Sequence, residues 1–235
     1  SQVHIEKLIE FETDKEIILS PLDLDKNMKG SFAIKFENVN FKYFGSKEYM
    51  FENLNLSIEK NKHTVITGLN GTGKSTLIGL MSGIYFPMEG SIKAFSDNFG
   101  YVGPLPLIID STIKENLRYG NTKDISDDKL YELIKLFDLF NGEVPDLDLE
   151  INNKSLSSGQ MQKISFIRVM LADVDILFLD ESTSNLDTDT KNKIYSVLNK
   201  LEITIVNSTH SKEDFDYDFH LNIKNIEGKR SITFV

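Results

Sequence analysis

The sequence predicts an α/β fold: buried parallel strands with helices, antiparallel strands ahead of them, and a helical segment set into the core. Three observations carry this. The apolar run Val65-Ile66-Thr67 feeds a glycine-rich turn that opens a helix at Lys74. The run Val174-Asp175-Ile176-Leu177-Phe178-Leu179 is almost wholly apolar, as in a strand covered on both faces. Between them, Leu130, Leu133, Ile134, Phe137 and Leu139 recur at helical spacing.

Taken in order, residues 1–30 read apart from the rest. Val3, Ile5, Leu8, Ile9 and Phe11 suit a short, imperfect amphipathic helix, and Pro21 with the stretch 23–30 suits a linker. A frayed end and a functional connector are equally compatible with that pattern. Stretches 32–36, 39–43 and 54–58 alternate apolar and polar residues, as half-buried antiparallel strands do. A helix then runs from Lys74 to near Gly83, and 91–102 suits one or two short strands. Residues 111–140 read as helical, with Ser111 and Thr112 as caps. A second helix covers 157–172. The buried strand follows, and helix 188–201 with strand 203–206 completes a βαβ unit.

Composition bounds the function. The 235 residues suit one large domain, or a domain with an inserted subdomain. A chain of this size buries roughly 70–75% of its unfolded surface. With no cysteine, disulfides, thiolate metal sites and cysteine nucleophiles are excluded. The net charge of −10 argues against nucleic acid as a partner, because such binding leans on Lys and Arg. It does not preclude a local anion site built from backbone N–H groups. No apolar run reaches the ~18 residues that suggest a bilayer span. The stretch from Ser1 carries His4, Glu6, Lys7 and Glu10, unlike a secretory signal, and the missing Met suggests processing or a longer parent. His4, His63, His210 and His220 lack metal-ligand spacing.

The chemistry begins at Gly68-Leu69-Asn70-Gly71-Thr72-Gly73-Lys74-Ser75, followed by Thr76, a G-x-x-x-x-G-K-[ST] pattern between strand and helix. Glycines let backbone curl around a phosphate, and the helix start directs N–H groups at it. Lys74 can reach the β- and γ-phosphates of a nucleoside triphosphate, and the Ser75 hydroxyl can ligate Mg²⁺. Asp180 and Glu181 end the buried strand, where ligands of open α/β sheets bind. Asp180 can organise Mg²⁺ and its waters, while Glu181 can orient or deprotonate an attacking water. Leu156-Ser157-Ser158-Gly159-Gln160 opens a helix, a second phosphate-binding device beyond the one such a domain needs. A second copy of the domain would supply its nucleotide.

From about residue 31 to 226 the chain resembles the nucleotide-binding domain of an ABC transporter. The glycine-rich loop resembles Walker A. Ile176 to Glu181 resembles Walker B with its catalytic glutamate, and Leu156 to Gln160 the LSGGQ signature, with Ser158 for the first glycine. Ser184-Asn185-Leu186-Asp187 is similar to the D-loop, Ser208-Thr209-His210 to the switch histidine, and Tyr43 to the aromatic that stacks on adenine. The resemblance implies a RecA-like P-loop NTPase core, an N-terminal antiparallel β subdomain and a helical subdomain inserted at about 106–172. It implies ATP hydrolysis with Mg²⁺ in a head-to-tail dimer, where Ser157, Gly159 and Gln160 of one copy cover ATP on the other. Glu181 would be the base, His210 would hold the γ-phosphate and water, and Asp187 would link the two sites. Residues 1–12 resemble the connector from a transmembrane domain, and Ser111 to Leu117 an exporter pattern. These imply a half-transporter of the exporter type at the cytoplasmic face of a membrane.

The chain also departs from that pattern. At the Q-loop glutamine position, which ligates Mg²⁺ in the family, stands Pro104; the only glutamines are Gln2, Gln160 and Gln162. Proline offers neither side-chain oxygen nor N–H. The expectation is that water takes that metal position, Ser75 becomes the only side chain directly on the metal, and coupling runs through backbone near 103–106. The stretch 90–101 is short, which implies a trimmed β subdomain, and 150–154 lacks a clear Gly-Glu-Arg-like element. The rival readings are a soluble ABC-type ATPase on DNA or ribosomes, and a regulatory domain with little hydrolysis. No heptad run or second copy of the motifs supports the first.

Overall fold

The computed structural model describes residues 22–26, 31–121, 123–184, 186–210, 215–226 and 229–234. The amphipathic helix expected within 1–12 lies outside these residues. Of the expected linker, Asp23–Leu24 is strand β1. It pairs in parallel with Lys93 and Ala94, and the Asp25 N–H donates to Ala94 O at 3.0 Å. Two residues carry no periodicity, so their pairing is invisible until an open sheet edge is beside them.

Strands β2 (Phe32–Phe41) and β3 (Phe51–Glu59) pair antiparallel, and β5 (Glu89–Ala94) flanks β2, giving a sheet ordered β1-β5-β2-β3. The two strands expected over 32–43 are one. Asn38, at φ 52, sits where the register shifts between Phe36 and Val39, so an irregularity interrupts the alternation without ending the strand.

The central sheet has six strands: β4 (His63–Gly68), β6 (Phe99–Val102), β9 (Ile176–Asp180), β10 (Thr204–Ser208), β11 (Phe219–Ile226) and β12 (Lys229–Phe234). Their order is β12-β11-β4-β10-β9-β6, all parallel except β12. Both faces are covered. Along β9, Ile176 and Phe178 join one hydrophobic cluster, and Leu177 and Leu179 join the other. That split is the period of two read against two layers, and it explains the unbroken apolar run. Helix α1 (Lys74–Met81) lies between the two sheets, with every residue except Ser75 buried.

The second face carries α2 (Ile113–Arg118), α3 (Asp127–Leu136), α4 (Ser158–Ala172) and α5 (Thr188–Leu198). The stretch 111–140 is thus not continuous helix. Ser111–Thr112 form β7, paired antiparallel with β8 (Glu150–Ile151), and the Thr112 and Ser126 side chains start two separate helices as N-caps. Gly120, at φ 82, falls between those helices in a conformation glycine favours. Parallel order leaves the C-terminal ends of β4, β9 and β10 side by side, with Ser208 in register with both Ile66 and Asp180. That shared edge brings Gly68, Asp180 and Ser208 to one end of the sheet.

Candidate functional site

The loop after β4 is shaped by close approach. A Cβ on Gly68 would stand 2.5 Å from the Ile223 carbonyl oxygen and 2.7 Å from Thr72 Oγ1. Gly73, the N-cap of α1, has φ 110, where side chains are strained. No side-chain hydrogen bond caps α1, which leaves the N–H groups of its first turn available to an anion. The Thr72 hydroxyl closes the turn onto Leu69 O at 2.8 Å. Leu69, Asn70 and Gly71 are exposed around the rim.

Lys74 is buried, and its Nζ donates to Gly68 O at 3.1 Å. The same ammonium lies 3.2 Å from Glu181 Oε1, which is also 3.2 Å from His210 Nε2. Glu181 holds this place in the left-handed region at φ 49, with its N–H donating to Ser208 O at 3.1 Å. Lys74, Glu181 and His210, far apart in sequence, are therefore one cluster.

Asp180 is buried and satisfied by hydroxyls, as a buried carboxylate requires. Ser75 Oγ (3.0 Å) and Ser208 Oγ (2.7 Å) donate to its Oδ1, and the Tyr101 hydroxyl donates to Oδ2 at 3.2 Å. Burial, reinforced by the Asp180 charge, pushes the Tyr101 phenol up to about 12, so it remains a neutral donor. The donor set is all oxygen, with Ser75 Oγ and a carboxylate beside the phosphate loop, which fits the hard, oxygen-seeking Mg²⁺.

A cavity of about 340 Å³ is lined by Tyr43, Met50, Gly73, Lys74, Ser75, Thr76 and Glu181, among others. The Tyr43 hydroxyl is 2.6 Å from Thr76 Oγ1, and its ring stands edge-on to Phe41 and Tyr85. That pins an aromatic beside the phosphate loop, where an adenine would need one. A larger hollow of about 940 Å³ lies on the loop's other flank and reaches His210, but lacks Lys74 and Ser75. The smaller cavity is the one that joins Lys74, Ser75 and Glu181.

The remaining expected residues stand elsewhere. Ser157 is the N-cap of α4: its Oγ accepts from Gln160 N at 3.2 Å, and Gln160 Oε1 accepts from Ser157 N at 2.9 Å. Ser158 and Gly159 follow in the first turn. Asp187 caps α5 by accepting from Thr190 N at 2.9 Å; that N–H and the Thr190 side chain hold its carboxyl below the usual range. Among the described residues, no hydrogen bond joins Ser157, Ser158, Gly159, Gln160 or Asp187 to the loop or to Glu181. Pro104 is exposed. The neighbouring Gly103 carbonyl accepts from the buried Gln162 Nε2 at 3.0 Å.

Sequence reasoning missed Tyr101, Ser208, Met50 and Gln162 as site residues. Ser208 offered one signal, a hydroxyl ending an apolar strand two residues before His210. Tyr101 offered none, because its nearness to Asp180 depends on β6 lying beside β9.

A parallel sheet with a phosphate loop at the end of β4 and two carboxylates at the end of β9 defines a P-loop nucleotide-binding fold. Residues 51–184 match the family model for ABC transporters, and the chain belongs to that family. It is 32% identical over 197 residues to ABC transporter B family member 22 of Arabidopsis thaliana, covering 76% of this chain and 16% of that protein. It is 31% identical over 204 residues to ABC multidrug transporter mdr2 of Aspergillus fumigatus, covering 80% of this chain and 26% of that one. The chain thus spans a minor part of these relatives' length. The structure of a bacterial Atm1-family ABC exporter with ATP bound shares the fold, with a TM-score of 0.77 at 24% identity, over 97% of this chain and 43% of that one.

Proposed function

We propose that this chain binds and hydrolyses ATP with Mg²⁺ and, as a head-to-tail pair with a second copy or a homologous domain, powers export of a substrate across a membrane. The observation that carries the reading is Glu181 Oε1 held between Lys74 Nζ and His210 Nε2, at 3.2 Å from each, at the mouth of the phosphate loop. A carboxylate so placed serves as base or water-orienting group. Lys74, freed from Glu181 by a triphosphate, holds the β- and γ-phosphates, and His210 steadies the γ-phosphate and water. Tyr43 stacks on adenine. Residues 68–76 supply N–H groups and hydroxyls to the phosphates.

Ser75 directly, and Asp180 through water, would hold Mg²⁺, which when bound neutralises and orients the phosphate oxygens. Catalysis is then positioning plus charge stabilisation. Ser157, Ser158, Gly159 and Gln160 face the partner's nucleotide, and Asp187 joins the two sites. The placement of both caps away from the chain's own loop supports that division. No helix among the described residues is long and apolar enough to cross a membrane. Export therefore calls on a transmembrane domain, with the residues ahead of β1 as connector and this domain on its cytoplasmic face. The name of the multidrug-transporter relative, and that of the exporter whose structure shares the fold, support that direction.

The test is Glu181→Gln. Loss of a general base removes roughly 10²–10⁴-fold in rate, so phosphate release should collapse while ATP binding persists and a dimer is trapped. Unchanged turnover refutes the assigned base.

A further inference from the structure

We propose that Tyr101 is a positioning residue of the metal–nucleotide site, fixing the Asp180 carboxylate from the side opposite Ser75. The inference rests on reading this site as one for Mg²⁺–ATP. Asp180 Oδ1 is taken by Ser75 and Ser208, so its rotation is set by what reaches Oδ2, and the Tyr101 hydroxyl reaches it at 3.2 Å. Tyr101 lies on β6 in register with Phe178, two residues before Asp180 on β9, so both side chains leave the same face of adjacent parallel strands. The reach of a phenol spans the rest.

A second observation is independent of the hydrogen bond. A Cβ on Gly103 would stand 3.0 Å from Tyr101 Cε1 and 3.3 Å from its hydroxyl, tighter than ordinary contact. Glycine at 103 therefore leaves the space in which the ring lies back over its own strand end. Gln162, buried in α4, holds that glycine by donating to its carbonyl at 3.0 Å. Pro104, exposed and without a donor, supplies nothing to the carboxylate. Tyr101, three residues before Pro104, does reach the acidic site, through its hydroxyl. An outer hydrogen bond of this kind orients a metal-holding carboxylate, and its loss typically weakens metal binding 10–100-fold.

The experiment uses the Glu181→Gln chain as parent, with Mn²⁺ as probe at saturating ATP, and counts protein-bound Mn²⁺ by its enhancement of water-proton relaxation, which is far weaker for Mn²⁺ held by free ATP. Tyr101→Phe should raise the half-saturating Mn²⁺ about tenfold or more, while ATP binding in EDTA stays unchanged. Gly103→Ala should weaken Mn²⁺ binding in the same direction, and the double variant should be no worse than Tyr101→Phe, because both act through one contact. Mn²⁺ affinity within twofold of the parent in Tyr101→Phe overturns the inference, as does full additivity. A parent that binds no Mn²⁺–ATP overturns the Mg²⁺–ATP site itself, a distinct result.

Discussion

Ser157 offers a substitution that separates what a helix needs from what a nucleotide site needs. Its hydroxyl accepts from Gln160 N, and Gln160 returns a bond to Ser157 N, so the start of α4 is closed twice. Ser157→Ala removes only the first bond, because the returned one uses backbone N–H. The side chain is exposed, so no burial is lost with it. The cost is therefore the middle of the N-cap range, about 1 kcal/mol, or a Tm lower by about 2–4 °C for a chain this size. Ser157→Asp keeps an acceptor at the cap and suits the helix N-terminus, so Tm should move by less than about 1 °C. Against a partner's triphosphate the same carboxylate is harmful. Two like charges ~4 Å apart at an effective dielectric constant near 20 repel by about 4 kcal/mol, about a thousandfold in affinity. Differential scanning fluorimetry reads the first effect. Sedimentation of the ATP-trapped dimer, in the Glu181→Gln background, reads the second. A Ser157→Asp chain that keeps the dimer refutes placing Ser157 against nucleotide, and one that melts like Ser157→Ala refutes the capping argument.

Gly68→Ala forces a Cβ to within 2.5 Å of the Ile223 carbonyl oxygen, so urea unfolding should show a loss of about 1–3 kcal/mol together with weaker ATP binding. The Lys62–Asp218 ion pair predicts a pH window. Burial acts to raise the Asp218 carboxyl, but the Lys62 ammonium and the His63 N–H hold it below its usual value, and the hydrogen bond to Asp218 raises Lys62. A depressed carboxyl stabilises above its unfolded value of about 3.9 and loses that as pH falls through the folded value. A raised ammonium stabilises below about 10.4 and loses that as pH climbs past it. Urea midpoints of wild type and Lys62→Met should differ by a constant amount near neutrality, and the gap should shrink at both extremes.

How much was legible followed the range of the physics involved. The phosphate loop, the doubly covered strand that ends at Asp180 and the helix that opens at Leu156–Gln160 rest on neighbours within a few residues, and each stands where the sequence predicts. Lys74 and Asp180 were readable for the same reason, since loop chemistry and strand ends leave local marks. The division of 111–140 into two helices has local marks, Gly120 at φ 82 and the Ser126 cap, but the strand at Ser111–Thr112 has none, because its partner is Glu150–Ile151, a segment nearly forty residues on. Strand β1 was hidden likewise by an edge supplied from β5.

The sequence by itself determined that a G-x-x-x-x-G-K-[ST] loop, an acidic strand end and a second, Ser- and Gly-rich helix start exist in this family's order. Only the tertiary structure decided which side chains meet there. Strand order β4-β10-β9-β6 comes from crossovers that bury both faces of the sheet, and no local pattern encodes which strands become neighbours. That order brings Ser208 and Tyr101 to Asp180, and His210 to Glu181 beside Lys74. A chain whose motif pattern lacks its usual glutamine therefore still has a donor, Tyr101, three residues before that position, at the Asp180 carboxylate.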